Sequence, residues 1–288
     1  PIINAGSLIL KEGVKIYGGF SGIESQLEER MPQNNITVID GNTSREGEPA
    51  YSVIIAENDT EINGFTIEGG VAKYDAWRLA GGGGGGLYSM SSNLVISSCI
   101  FQNNTAFTGG AIALDNSTIH INDTIFFNNT SEYHGGAIRE NGYTMITVHR
   151  CVFKSNIANL GGGAIAAGDI TIEDTLFENC ISLSDNSGAF GGGACDVGSG
   201  QFYRCIFRNN KALTGGALHL TGSSIIGNCL FENNISSARG GSIFAYSPFS
   251  TYHEEWVGTH RINHCTFINN QAPEGPVIYL SGEMRLQN

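Results

Sequence analysis

A motif repeated seven times at intervals near 25 residues constrains this chain more than any other feature. A phenylalanine is followed three residues later by asparagine at Phe101 and Asn104, Phe126 and Asn129, Phe153 and Asn156, Phe207 and Asn210, Phe231 and Asn234, and Phe267 and Asn270, with Cys180 replacing the asparagine after Phe177. Each copy leads to a glycine pair: Gly109-Gly110-Ala111-Ile112, Gly135-Gly136-Ala137-Ile138, Gly162-Gly163-Ala164-Ile165, Gly192-Gly193-Ala194-Cys195, Gly215-Gly216-Ala217-Leu218 and Gly240-Gly241-Ser242-Ile243, with a degenerate Gly275-Pro276-Val277-Ile278 last. Successive phenylalanines stand 25, 27, 24, 30, 24 and 36 residues apart. The two long intervals contain loop inserts at residues 181–190 and 246–261. A fixed period of this length means one structural unit stacked on copies of itself.

Two residues before each phenylalanine stands Cys99, Thr124, Cys151, Thr175, Cys205, Cys229 or Cys265. Side chains alternate along a strand, so this residue shares a face with the phenylalanine, and an apolar face belongs inside. Stacking coils about 4.8 Å apart then puts like residues in columns: Phe, Cys or Thr, Ile or Leu after the glycines, and Asn. The asparagines Asn104, Asn156, Asn210, Asn234 and Asn270, together with Asn129, are expected to face inward where the chain bends, each amide bonding backbone at the bend and the Asn above and below. The glycine pairs serve another corner, where positive φ or close backbone approach is needed. The chain therefore reads as all-β, a right-handed parallel β-helix in a single domain over residues 1–288.

Before residue 93 the pattern loosens. Val14-Lys15-Ile16-Tyr17, Thr37-Val38-Ile39-Asp40, Ser52-Val53-Ile54-Ile55 and residues 62–67 still alternate between Gly or Asn boundaries, as strands do. Counting them gives about ten coils, or roughly 48 Å of solenoid. Residues 21–31 read as a short helical excursion, because Ser21 and Glu24 match a capping box. Forty glycines with six prolines and 15% charged residues, and no composition break, agree with one continuous β architecture. The chain opens on Pro1 without a signal segment, and residues 283–288 look like the start of another strand, so both ends read as cut from something longer.

The tandem glycine-pair and Phe-x-x-Asn elements over residues 99–278 resemble the repeats of the chlamydial polymorphic outer-membrane proteins. The stretches Val14-Lys15-Ile16-Tyr17-Gly18-Gly19-Phe20-Ser21-Gly22, Thr37-Val38-Ile39-Asp40-Gly41-Asn42 and Gly64-Phe65-Thr66-Ile67-Glu68-Gly69-Gly70 are similar to the opening of large secreted proteins with pectin-lyase-like coils. The resemblance implies a surface-exposed, adhesin-like passenger domain, of the kind carried by a C-terminal autotransporter barrel. No such barrel is visible in this sequence.

The net charge of −12 and the scatter of 15 basic residues argue against a nucleic-acid partner, and no apolar run is long enough to span a bilayer. Cys99, Cys151, Cys205, Cys229 and Cys265 occupy a position that Thr fills elsewhere, so they read as core residues. Only Cys205 and Cys229 fall in adjacent coils, where a disulfide is a minor alternative. No Cys-x-x-Cys or histidine cluster indicates a metal, and no cofactor is expected.

Carbohydrate-cleaving β-helices need grouped carboxylates on one outer face. The outward position after the glycine element reads Ala113, Arg139, Ala166, Asp196, His219, Phe244 and Tyr279, too sparse for a catalytic centre. Arg139, Asp196 and His219 are kept as ligand-binding candidates. The others are in the two tryptophan-bearing segments: Trp77 in residues 71–92, beside the six-glycine run, and Tyr252, His253 and Trp256 in residues 246–261. Aromatic rings with polar neighbours suit a carbohydrate or a host or self protein surface. Sequons at Asn35, Asn42, Asn58, Asn103, Asn116, Asn122, Asn128 and Asn234 are glycosylation candidates, whereas Asn129, which also heads a sequon, belongs to the inward column.

The leading expectation is a non-enzymatic extracellular protein, an adhesive β-helical stalk or a filament subunit assembling end to end as a homo-oligomer. The alternative is a polysaccharide lyase or glycoside hydrolase acting on acidic polysaccharide in a groove of the helix.

Overall fold

The computed structural model describes residues 6–73, 83–90, 92–142, 145–185, 191–246, 249–250, 255–256, 259–281 and 284–287. Every coil-to-coil ladder is parallel, and three sheets form the sides of a β-helix. The first sheet runs from Leu8–Leu10 and Lys15–Tyr17 to Ile278–Ser281 and Met284–Gln287. The second stacks nine strands from Thr37–Asp40 to Thr266–Ile268, and the third stacks seven from Val71–Ala72 to Ile235–Arg239. Only seven turns therefore carry all three sides. The expected ten coils include outer rungs, at both ends, that lack a strand of the third sheet.

Three left-handed corners per turn make this possible, because each lets the chain bend sharply between short strands. The corner into the second sheet falls at Asp123, Arg150, Asp174 and Arg204, with φ between 49° and 55°. The corner out of it falls at Asn103, Asn128, Ser155, Asn179, Asn209, Asn233 and Asn269, with φ between 52° and 57°. Asn tolerates this region better than most residues, which explains the second asparagine in the repeats. The third corner is stricter. A Cβ on Gly162 would lie 2.1 Å from the Ile165 carbonyl oxygen, and one on Gly163 would lie 2.1 Å from the Gly193 carbonyl oxygen of the next coil.

Inside, the phenylalanines from Phe101 to Phe267 stack face to face, with centroids 4.6–5.3 Å apart and planes within 11°. The spacing is that of the coils themselves, so offset stacking and hydrophobic burial reinforce the same register. Cys and Thr interchange in the neighbouring column because each donates to the carbonyl two residues back: Cys151 Sγ to His149 O at 3.3 Å, Thr124 Oγ1 to Asn122 O at 2.8 Å. All seven cysteines are free thiols, so the Cys205–Cys229 alternative is not formed.

The asparagine column is a continuous ladder over two stretches. Asn104 Nδ2 donates to Asn129 Oδ1 at 3.1 Å and Asn129 Nδ2 to Asn156 Oδ1 at 3.0 Å. Asn210 and Asn234 repeat the pattern toward Asn270. Cys180 interrupts it, although its backbone N–H still donates to Asn210 Oδ1 at 2.9 Å.

Two local expectations need correction. Residues 21–31 hold only a short 3-10 helix, Leu27–Glu29. The Glu24 carboxylate does reach back to the Ser21 N–H at 2.7 Å, but Ser21 Oγ donates to that same carboxylate instead of accepting from the backbone, so the turn closes on itself. The second half of the six-glycine run is not a loop: Leu87 pairs with Ile112, which makes Gly84-Gly85-Gly86 the repeat's own glycine corner.

Candidate functional site

Among the described residues, the candidate residues converge in the outward column beside the glycine corner. Tyr88, Ala113, Arg139, Ala166, Asp196, His219, Phe244 and Tyr279 lie in register on successive rungs. The column is far less exposed than an outward strand position should be. Ala113, Ala166 and His219 are 1%, 1% and 5% exposed. The segment leading into each glycine pair carries buried residues of its own, Thr108, His134, Ser184 and Thr214, so the column lines a crevice instead of an open face.

His219 Nδ1 lies 2.7 Å from Asp196 Oδ1, and this pair is almost fully covered. The His219 ring stacks on Phe244 at 5.0 Å, and Phe244 stacks in turn on Tyr279 at 5.4 Å. Arg239 closes the stack, its guanidinium 5.1 Å from the Tyr279 centroid. Two rungs from Asp196, Arg139 Nε donates to Asn141 Oδ1 at 3.2 Å. Burial lowers the Arg139 pKa from its usual value, opposed by the nearby carboxylates of Glu140 and Asp196. Burial also pushes His134 down to about 4, helped by the charge of Arg139, so its ring is neutral near pH 7.

The crevice thus groups Arg139, Asp196 and His219, and adds His134, which the sequence reading passed over because it lies before the glycine pair, outside the column. Chemically the column offers one carboxylate, Asp196, already engaged by the His219 imidazole, while Asp115 and Glu140 nearby accept from Tyr88 Oη and from the Gly168 N–H, both at 2.7 Å. Paired acids at acid/base or nucleophile spacing are not present in the column.

A wider hollow of about 420 Å³ lies on the outer face of the first sheet, lined by Met145, Asp169, Ser199, Gln201, Ile225 and Arg261 among others. It carries one acid and one base, three coils apart by strand register.

One cluster has the ligand atoms for a cation: His149, Glu173 and Asp174. Its carboxylates already have a partner. Arg204 donates to Asp174 at 2.7 Å and to Glu173 at 2.8 Å, and Arg150 Nη1 sits 2.7 Å from His149 Nδ1. Asp123 and Arg150 pair in the same way on the preceding rungs at 2.7 Å. The arginines hold both aspartates below the usual carboxylate range. This is a ladder of alternating charge running down one corner, not a vacant ligand set.

The remaining candidates scatter. Trp77, Tyr252 and His253 lie outside the described residues. For Trp256 the backbone alone is described: Glu255–Trp256 pairs antiparallel with Phe249–Ser250 as a small hairpin in the insert. Asn42, Asn103, Asn116 and Asn128 are exposed, and Asn35, Asn58 and Asn122 are partly so. Asn234 is not available for glycosylation: it is fully buried, and its amide bonds Phe207 O and Asn270 Oδ1, both at 2.9 Å.

Together the coils, columns and corners define a parallel β-helix repeat protein like the polymorphic membrane proteins. The Chlamydia polymorphic membrane protein repeat family matches residues 123–139 and 228–246. Each match covers the strand carrying the phenylalanine, the asparagine corner and the glycine pair.

Among curated proteins the chain is 32% identical over 166 residues to the probable autotransporter YfaL of Escherichia coli, covering 53% of this chain and 12% of the relative. It is 29% identical over 188 residues to metabotropic glutamate receptor-like protein R of Dictyostelium discoideum, covering 63% of this chain and 11% of that protein. Metabotropic glutamate receptor-like protein Q of the same organism is 32% identical over 177 residues, at 59% and 14% coverage. The chain therefore spans only about an eighth of each relative. No solved structure matches.

Proposed function

We propose that this chain is a rigid segment of a surface-exposed or secreted β-helical passenger region, with an adhesive or structural role and no catalytic one. The observation that carries this reading is the unbroken stack of rungs, in whose crevice Asp196 is already paired with His219 and Asp115 with Tyr88. The similarity to a probable autotransporter supports the location. On this reading the crevice around Arg139 and Asp196 and the insert at residues 246–261 meet a carbohydrate or a protein surface, and the solenoid holds them at fixed spacing.

The test pairs binding with turnover. The purified chain is applied to a glycan array and to immobilised extracellular proteins, and incubated with acidic polysaccharides with and without calcium. Retention without cleavage is expected, whereas reproducible depolymerisation would overturn the proposal and restore the lyase or hydrolase alternative.

A further inference from the structure

The outer face of the second sheet carries a feature that neither the fold nor the crevice uses. Its central column reads Ile100, Ile125, Val152, Leu176, Ile206 and Leu230 on six consecutive rungs, with Thr66 before it and Thr266 after it. All six point away from the core and are half-buried to exposed, Ile125 to 40% and Ile206 to 36%. Scattered apolar residues on a surface are ordinary, but an unbroken aliphatic row is a contact surface.

Both edges of this face are charged, and the charges alternate. One edge reads Ser98, Asp123, Arg150, Asp174, Arg204 and Asn228, the corner residues of the same six coils. The other reads Gln102, Phe127, Lys154, Glu178, Arg208 and Glu232. Within the chain the neighbouring rungs of each edge form ion pairs.

We infer that this face binds a second copy of the chain, face to face and antiparallel, about a two-fold axis that passes between Val152 and Leu176. That operation maps the aliphatic row onto itself: Val152 meets Leu176, Ile125 meets Ile206, and Ile100 meets Leu230. It also sets opposite charges together, Asp123 against Arg204 and Arg150 against Asp174 on one edge, and Lys154 against Glu178 on the other, where Glu232 meets Gln102. Phe127 meets the Arg208 guanidinium, a favourable cation and ring pair. The parallel arrangement fails this test, because it sets Arg150 against Lys154, Asp174 against Glu178 and Arg204 against Arg208. Charge selects one orientation and one register, and the closed two-fold needs only this patch on both copies.

The contact is small. Six rungs and five strand positions give a face of roughly 29 Å by 17 Å, or about 500 Å² per copy. A total near 1,000 Å² belongs to weak, reversible association. This inference stands apart from the proposed adhesive role, since it concerns a different face.

Analytical ultracentrifugation of the chain from roughly 10 to 500 µM, the micromolar range of weak complexes, tests it. The weight-average mass should climb from 30.6 kDa toward twice that value. Ile125→Asp should abolish the rise, and the milder Ile125→Thr, a residue the column already holds at both ends, should weaken it several-fold. Arg204→Asp should abolish it as well, by opposing Asp123 of the second copy, and adding Asp123→Arg should restore it. That double reversal sets like charges side by side within each chain, so its dimerisation cannot come from repaired intrachain pairs. Circular dichroism of each variant checks that the coils are intact. A chain monomeric throughout, association indifferent to Ile125→Asp and Arg204→Asp, or a folded double reversal that stays monomeric would overturn the inference.

Discussion

Replacing Asn129 by alanine should weaken this protein more than any exposed substitution, because the Asn129 amide is both rung and brace. It accepts from Asn104 N at 3.2 Å and from Asn104 Nδ2 at 3.1 Å, and donates to Phe101 O at 2.9 Å and Asn156 Oδ1 at 3.0 Å. The site is fully buried. Truncation leaves an N–H, an amide hydrogen and a carbonyl without partners in a water-free interior, at about 1–3 kcal/mol each. Allowing for some sharing between them, the loss comes to about 3–6 kcal/mol. With a urea dependence of about 3 kcal/mol per molar for a chain this long, the midpoint should fall by about 1–2 M. Asn128→Ala is the control. Its side chain is exposed and its φ is 54°, so it loses mainly the tolerance of Asn for left-handed backbone, about 1 kcal/mol. Equal midpoints for the two variants would refute the ladder as a source of stability.

Other consequences follow from the same columns. Phe153→Ala should cost about 3–5 kcal/mol, since its ring is stacked on Phe126 at 4.6 Å and on Phe177 at 4.8 Å; thermal unfolding reads this out. The six buried thiols should resist iodoacetamide at pH 8, because burial pushes Cys99 up to about 11 and Cys151 and Cys180 up to about 12; mass spectrometry should find those six alkylated only after unfolding. His134 should make the protein acid-sensitive. Its folded pKa of about 4 lies below the ordinary value of 6.5, so the unfolded chain binds the extra proton between these values. Its contribution is complete above pH 6.5 and is lost as pH falls toward 4, to a limit of about 3 kcal/mol. The acid limb of a stability profile for His134→Gln should be shallower than that of the parent.

Much of this could be read from the repeat, because a β-helix writes each interior column into the sequence at a fixed period. The phenylalanines, the Cys and Thr alternation and the glycine corners follow directly from alternation along a strand. The N-terminal coils were harder to count, since their strands lack the glycine pair and the first has no third side. The residues 21–31 turn misled because the Ser21 and Glu24 pair stabilises a local loop as readily as a helix start. The crevice was only half legible. Register placed Arg139, Asp196 and His219 in one column, but their burial comes from the preceding segments, which carry no periodic signal, and so His134 went unnoticed. The apolar row on the second sheet stands in six of the seven repeats as the residue before phenylalanine, where a single exposed aliphatic residue is unremarkable.

The most direct test of the fold is a ruler along its axis. Cysteine pairs placed at Ile100 and successively at Val152, Leu176, Leu230 and Thr266, one pair per variant in a Cys265→Thr background, can be spin-labelled without interference from the six remaining native thiols, all of them buried. Pulsed dipolar measurements in the monomeric state should give separations that grow by about 4.8 Å for each coil crossed, reaching about 29 Å at Thr266. Distances that level off, or that do not follow coil number, would contradict the stacked β-helix on which every other statement here depends.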